Sequence, residues 1–201
     1  MGSILFRSSA GMQEINTGAA LLGRRKISVF GAITMTSAQE FVHELLCLLD
    51  SDRNQPIQVL INSEGGEIDA GMLIYDAIQS CPVPLKLYCM GYAYSMAAVL
   101  LASGQYGRYI LPHSRVMIHE PAITGGFCGR SKSIQAVSES LLQTKRDMEK
   151  LLAAHTGKTP EEIADATRED HFFTAEEALA FGLVDKIIGV NELMETDDME
   201  V

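Results

Sequence analysis

Apolar and polar residues follow two alternating patterns along this chain of 201 residues. Short runs rich in β-branched residues predict strands, and longer segments with an apolar residue every three or four positions predict helices packed by one face. The predicted strands cover 26–31, 57–62, 85–90, 108–111, 115–119 and 183–190. The predicted helices cover 36–50, 68–80, 95–103 and 131–155, followed by two short helices. Strands that alternate with helices in this way are typical of an α/β domain.

Residues that can cap helices mark three of the predicted helix starts. The pairs with capping-box spacing are Ser37 with Glu40, Thr159 with Glu162, and Thr174 with Glu177. Gly182 is placed to end the last of these helices, because glycine readily adopts the left-handed conformation of a C-terminal cap. These signals tie the predicted boundaries to particular residues.

The longest helical pattern, 131–155, carries its apolar residues in one stripe and therefore predicts an amphipathic helix with a single buried face. The tail 191–201 contains five acidic residues and is predicted to fray. No repeat of fixed period and no linker divides the chain. The sequence therefore predicts one domain over 1–201.

The net charge of the chain limits the classes of partner that it is expected to bind. Sixteen Lys and Arg against 26 Asp and Glu give a formal net charge of −10 at pH 7, which argues against nucleic acid or an anionic membrane as partner. No apolar run approaches the roughly 18 residues that cross a bilayer. The four cysteines lack zinc-site spacing and predict reduced thiols in a cytoplasmic protein. The sequence thus predicts no metal and no cofactor.

Three predicted strands end at residues that could perform acyl-transfer chemistry. The glycine pair Gly65 and Gly66 follows the second strand, Ser95 follows the third, and His119 ends the fifth. A serine hydroxyl needs a base such as histidine to become a nucleophile, and a carboxylate must orient that histidine. The amide of Met96, at the start of the next helix, and that of Gly66 could stabilise an oxyanion.

Each of these residues also has a purely structural interpretation. A serine before an apolar helix is more often its N-cap, and a histidine that ends an apolar strand is more often a satisfied core residue. Paired glycines usually mark a turn, and Ser95 does not lie in G-x-S-x-G. The pattern leaves the third member open, because Asp165, Asp170 and Asp185 are all candidates.

Four segments in this order resemble the proteolytic subunit of the caseinolytic Clp protease, ClpP. They are INSEGGEIDAGMLIYD, MGYAYSMAAVLLASG, LPHSRVMIHEP and HTGKTPEEIADATREDHFFTAEEALAFGLVDKII. The resemblance runs from about Lys26 to Ile188, which is most of the chain. It implies an ATP-dependent serine endopeptidase that cleaves unfolded proteins or short peptides through an acyl-enzyme.

The resemblance also assigns roles by position. Ser95 matches the nucleophile, His119 the general base and acid, and Asp170 the orienting carboxylate. The backbone amides of Gly66 and Met96 match the two donors of the oxyanion hole. No metal or cofactor takes part in the chemistry of this family.

The resemblance further implies an architecture and an assembly. The family has a ClpP/crotonase-like α/β fold of repeated β-β-α units, from which a long handle helix, here 131–155, protrudes. Seven subunits form a ring, and two rings enclose a chamber as a tetradecamer. The segment 1–25 matches the axial loops, and TGGFCG (124–129) matches the strand edge along which peptides bind.

Several positions depart from the family pattern. Tyr94, Glu120 and Glu64 stand where a small residue, a glutamine and a proline are usual. At the surface where family members dock an AAA+ ATPase, three aromatic positions are occupied by Gln58, Leu60 and Ser80. An ATPase partner is therefore expected to meet an atypical docking surface.

Two other functions compete with the peptidase. The first is a catalytically silent ring subunit that pairs with an active paralogue, which the departures near the site favour. The second is a crotonase-type enzyme that acts on acyl-coenzyme A, because that superfamily shares the fold. A crotonase has no need of a serine, a histidine and an aspartate in one set, so the sequence favours the peptidase.

Overall fold

The structure is a computed structural model that describes residues 2–8, 11–122 and 130–195. Its strands are β1 (Ser3–Ser8), β2 (Gly11–Asn16), β3 (Lys26–Ile33), β4 (Ile57–Gly66), β5 (Leu85–Tyr94), β6 (Arg108–Ile110), β7 (Arg115–Ile118), β8 (His171–Phe173) and β9 (Lys186–Ile187). Its helices are α1 (Thr17–Leu22), α2 (Met35–Ser51), α3 (Ile68–Gln79), α4 (Met96–Ala102), α5 (Ser131–Thr156), α6 (Pro160–Ala166), α7 (Ala175–Phe181) and α8 (Val190–Glu195).

A parallel sheet organises the fold in the order β3-β4-β5-β6-β9, and the α/β prediction is confirmed. Strand β5 is long enough to pair with two different strands along the same edge. Its first half, Leu87–Cys89, pairs with β6, and its second half, Tyr92–Tyr94, pairs with β7. Between the halves Gly91 has a φ of 106°, and a side chain there would lie 2.8 Å from the amide oxygen of Asn62. A glycine therefore lets β5 turn toward β7 and the antiparallel β8.

Two of the three predicted capping boxes are present, and the third lies elsewhere. Thr159 with Glu162 and Thr174 with Glu177 exchange the expected hydrogen bonds at the starts of α6 and α7. The box predicted for Ser37 with Glu40 is wrong. Thr34 is the N-cap of α2, and the Ser37 hydroxyl itself accepts from the Thr34 amide. Because serine can fill either position of such a box, spacing alone placed it three residues late.

The core lies between the sheet and the helices that cover it. Every residue of α4 is buried, which explains why this short helix is wholly apolar. Helix α5 behaves differently, because only Leu152 and Ala153 near its end are buried. Ile134 and Leu142 on its earlier turns are 49% and 53% exposed. The prediction of one buried face therefore holds only for the last turns, since most residues of the earlier turns are not covered by the described parts of the chain.

The two ends of the chain contain structure that the pattern did not predict. Residues before 25 form the hairpin β1–β2 and helix α1. The predicted strand 183–190 shrinks to β9, because the chain is still leaving α7 through the left-handed Gly182. The prediction of a frayed tail from residue 191 is wrong as far as 195, because Leu193 of α8 is buried against Leu60. That 1–201 form a single domain stays a prediction.

None of the helices in the described ranges has an apolar stretch long enough to cross a bilayer.

Candidate active site

Strand register brings the predicted catalytic residues together. Tyr94 of β5 pairs with Met117 of β7, so Ser95 emerges beside the end of β7. Strands β7 and β8 are antiparallel, and their last pair joins Ile118 to His171. The residue after Ile118 and the residue before His171 therefore face each other across the strand ends. These two residues are His119 and Asp170.

The three side chains form one chain of hydrogen bonds. The Nε2 atom of His119 lies 2.8 Å from the Oγ atom of Ser95, and its Nδ1 atom lies 3.1 Å from Oδ1 of Asp170. The other two candidate aspartates are engaged elsewhere, Asp165 with Arg168 and Asp185 with Arg108. The choice among three aspartates that the pattern left open is thus made by the geometry in favour of Asp170.

The backbone of Ser95 shows that this serine does not cap α4. Its φ of 55° and ψ of −122° lie in a region that non-glycine residues seldom occupy, and its side chain makes no capping bond to the helix. Its amide donates instead to the carbonyl of Met117 at 2.8 Å. Ser95 therefore occupies the N-cap position of α4, but its hydroxyl does not cap the helix and instead faces His119.

The glycine pair packs directly against the serine segment. A Cβ atom on Gly65 would lie 2.6 Å from the carbonyl of Tyr94 and 2.8 Å from the Cβ of Ser95, so a side chain has no room there. On Gly66 it would lie 2.1 Å from the carbonyl of Ile33. The Gly65 amide already donates to the Ser63 hydroxyl. Gly65 is thus a packing residue of the site that sequence reasoning missed, although the paired glycines were the signal for it.

A small cavity of about 40 Å³ opens beside Ser95 and His119. Its remaining walls are Ile68, Met96, Val99, Ile118, Pro121, Met148 and Leu152. They come from α3, α4, α5, β7 and the residues after β7, so the end of the long helix forms part of the site. Sequence reasoning missed the wall from α5, whose apolar stripe was its only signal. An apolar wall beside Ser95 suits an apolar ligand group.

Charged groups at the rim of the site are largely paired. Glu120, which follows His119, forms an ion pair with Lys145 of α5, and this contact raises the pKa of Lys145. The Glu120 amide donates to the carbonyl of Thr167 at 2.8 Å. Burial raises the pKa of Cys89 to about 12, so this thiol stays protonated at neutral pH. The charge of Glu120, one of the two carboxylates that depart from the family pattern, is therefore balanced by Lys145 of α5.

Two further sequence predictions concern the peptide-binding edge and the surface that docks an ATPase. The expected peptide-binding edge at 124–129 lies outside the described residues. At the expected docking surface Gln58 and Leu60 are buried within the chain, and only Ser80 is exposed. Within the described ranges no three His, Cys, Asp or Glu side chains are grouped to hold a metal ion.

A serine, a histidine and a carboxylate in hydrogen-bonding sequence at a helix start define a class of protein, the serine hydrolases. The sequence profile of the Clp protease family matches residues 9–191. The chain therefore belongs to the Clp protease family, a family of serine peptidases, and its α/β architecture is the fold of that family.

Relatives in three bacteria agree with this assignment. The chain is 40% identical over 192 residues to the ATP-dependent Clp protease proteolytic subunit 2 of Chlamydia trachomatis, which covers 95% of this chain and 93% of the relative. The subunit 2 of Chlamydia muridarum is similar to the same extent. That of Chlamydia pneumoniae is 38% identical over 179 residues, 89% of this chain and 87% of the relative.

Proposed function

We propose that this chain is the proteolytic subunit of an ATP-dependent Clp protease and cleaves peptide bonds through an acyl-enzyme on Ser95. The observation that carries the proposal is the hydrogen-bonded chain from Ser95 through His119 to Asp170. Family membership makes the protein a serine peptidase, and the geometry supports the assignment of these residues to its chemistry.

The reaction follows from the positions of the atoms. As the Oγ atom of Ser95 attacks the substrate carbonyl carbon, Nε2 of His119 takes its proton, and Asp170 stabilises the imidazolium through Nδ1. The amides of Met96 and Gly66 hold the oxyanion of the tetrahedral intermediate. Collapse of this intermediate breaks the C–N bond, and His119 returns the proton to the leaving amine. Water then attacks the acyl-enzyme by the same steps and releases the acid.

The apolar cavity supports a preference for substrates. Among the described residues its walls contain no Lys, Arg, Asp or Glu, so an ionised side chain that precedes the scissile bond would lose hydration there with little compensation. Fluorogenic peptides with leucine at that position should have a higher kcat/KM than matched peptides with aspartate, by on the order of tenfold or more. Equal values of kcat/KM for the two peptides would show that this cavity takes no part in substrate recognition.

The long helix supports assembly. Ile134 and Leu142 of α5 lie on turns without a core of their own chain, so another copy of the chain is the natural cover for them. Members of the Clp protease family form oligomeric rings that partner with Clp ATPases. We place this chain in two stacked heptameric rings in the cytoplasm, with an AAA+ ATPase as partner. Because Gln58 and Leu60 are buried, only Ser80 of the three expected docking positions is open to that ATPase.

A fluorophosphonate probe tests the proposal directly. The intact mass of the parent protein should increase by one adduct per chain, and that of the Ser95→Ala variant should not. An adduct on both proteins would show that the nucleophile is a residue other than Ser95. A folded parent with no adduct would instead support the silent ring subunit. Saturable binding of an acyl-coenzyme A to such an unreactive parent would support the crotonase-type enzyme.

A further inference from the structure

Three aromatic side chains form a cluster at the strand ends that carry the site, and we call Tyr92, Tyr94 and Phe172 the aromatic cluster. The rings of Tyr92 and Tyr94 stack with centroids 4.9 Å apart and planes at 28°. The ring of Phe172 meets Tyr94 edge-on, with centroids 5.5 Å apart and planes at 87°. Both are favourable arrangements of aromatic pairs.

The contact between Tyr94 and Phe172 spans strand β7, and we call it the bridge. Tyr94 of β5 pairs with Met117 of β7, and Met117 pairs with Phe172 of β8, so the three residues form one row across three strands. Residues in such a row point to the same face of a sheet. The two rings at its ends meet over Met117, whose residue is only 9% exposed. The contact therefore joins β5 to β8, which do not pair with each other in the described sheet.

This bridge lies next to two catalytic residues. Tyr94 directly precedes Ser95, and Phe172 follows Asp170 by two positions. Strand β8 has three residues, and the Asp170 side chain is 59% exposed, so few local contacts hold that carboxylate in place. Phe173 anchors the opposite face of β8 in the core. The bridge holds the other face.

We propose that Tyr94 and Phe172 are positioning residues that keep Asp170 in line with His119 and Ser95 through their ring contact. The inference rests on the proposed function, because it concerns the same catalytic residues. It assigns a role to Tyr94, which stands where a small residue was expected. The aromatic ring of Tyr94, and not its hydroxyl, makes this contact, because the two rings meet edge to face.

The first measurement is the rate of acylation by the fluorophosphonate probe. Tyr94→Ala and Phe172→Ala should each slow it by about ten- to a hundredfold, the cost typical of a slightly misplaced catalytic group. The double variant should be no slower than the worse single variant, because both remove one contact. Tyr94→Phe should retain the parent rate. If Tyr94→Ala is folded and acylates at the parent rate, the proposal is wrong.

A second arm separates positioning from general destabilisation. In an Asp170→Ala background Tyr94→Ala should slow acylation no further, because the carboxylate that it positions is absent. An equal loss in both backgrounds would overturn the positioning role. Tyr109→Ala is the matched control, because it removes another stacked pair, with Tyr88 at 4.8 Å, on a strand that carries no catalytic residue. That control should leave the acylation rate unchanged.

A third arm reads the bridge without catalysis, so it still decides if the parent proves unreactive and the proposed function fails. Hydrogen–deuterium exchange of the peptide that spans residues 170–173 should be faster in Tyr94→Ala by about two- to tenfold, as expected for loss of one aromatic contact. Tyr94→Phe and Tyr109→Ala should match the parent. Unchanged exchange in Tyr94→Ala would refute the bridge itself.

Discussion

At the scale of single residues, Ser95 holds its hydroxyl beside His119 at a cost in backbone stability. Its φ of 55° places its Cβ in a strained backbone region, and residues held in such regions typically cost about 1–3 kcal/mol. The strain persists because the Ser95 amide is bound to Met117 and its Cβ packs on Gly65. This backbone directs the hydroxyl toward His119 instead of toward the amides of α4.

Replacement of Ser95 by glycine should therefore stabilise the fold while it abolishes acylation. Glycine adopts this backbone freely, and after its own entropic cost the gain is about 1 kcal/mol relative to Ser95→Ala. Ser95→Gly should melt on the order of 2–4 °C above Ser95→Ala in a thermal scan. The alanine variant is the control, because it loses the hydroxyl but keeps the strained Cβ. A glycine variant that melts lower would show that the backbone is not strained.

His155 near the end of α5 makes stability depend on pH. Burial, and then the charge of Arg108, lowers the pKa of His155, whose Nε2 lies 2.9 Å from the Tyr75 hydroxyl. The unfolded chain takes up a proton near pH 6.5, while the folded chain resists it, so stability falls as pH drops below about 6.5. Between about pH 7.5 and 5.5, the melting temperature of His155→Gln should fall less than that of the parent protein.

An exposed histidine provides the control for this prediction. His113 is exposed in the turn between β6 and β7, so His113→Gln should follow the parent curve. If His155→Gln and the parent respond identically to pH, protonation of His155 does not contribute to acid destabilisation.

At the scale of secondary structure, one arginine ties together the ends of three helices. The Nη1 atom of Arg108 donates to the carbonyls of Ala102, His155 and Gly182, at the ends of α4, α5 and α7. Its Nε and Nη2 atoms donate to the carboxylate of Asp185. A cation is favoured at helix carboxyl ends, where carbonyls lack partners in the helix. Arg108 therefore fixes the end of α5 that walls the cavity.

Arg108→Lys should destabilise the protein by about 2–4 kcal/mol, because one ammonium group cannot reach an aspartate and three carbonyls together. Urea denaturation followed by circular dichroism measures the change. Arg53→Lys, in the exposed loop after α2, should stay within about 0.5 kcal/mol of the parent. Equal midpoints for the two variants would show that the bonds of Arg108 add nothing to stability.

At the scale of the whole molecule, the earlier turns of α5 present exposed apolar residues at which copies of the chain would meet in the proposed assembly. Most residues of 131–143 are exposed, although the sequence there is amphipathic. A helix with an apolar stripe gains its stability by packing, and the described parts of the chain supply little packing to these turns. An assembly of several copies would supply it.

Ile134→Glu with Leu142→Glu should therefore shift the protein to smaller species in sedimentation velocity. The two introduced charges would be desolvated in an interface between copies, while they cost little on an exposed helix. Ala136→Glu places a charge on an exposed position roughly 120–160° around the helix from both residues and should leave the sedimentation unchanged. If the double variant sediments like the parent, the stripe lies outside the interface.

The candidate site residues that the sequence itself marks are those whose signal is local. The strand ends that carry Gly66, Ser95 and His119 could be found because a glycine pair or a polar residue interrupts an apolar run. The hydrogen bonds of Arg108 could not be found, because they join residues 6 to 77 positions apart and nothing in the local pattern marks them. The long stripe of α5 likewise could not reveal how much of it this chain covers.

The sequence by itself determined the α/β alternation and the capping boxes at Thr159 and Thr174, because these depend on residues within a few positions of each other. Only the tertiary structure decided that Ser95 faces a histidine and does not cap a helix, and that Asp170 is the aspartate beside it. Those contacts span 24 and 51 positions. They depend on the register of β5, β7 and β8, which is set by packing across the sheet.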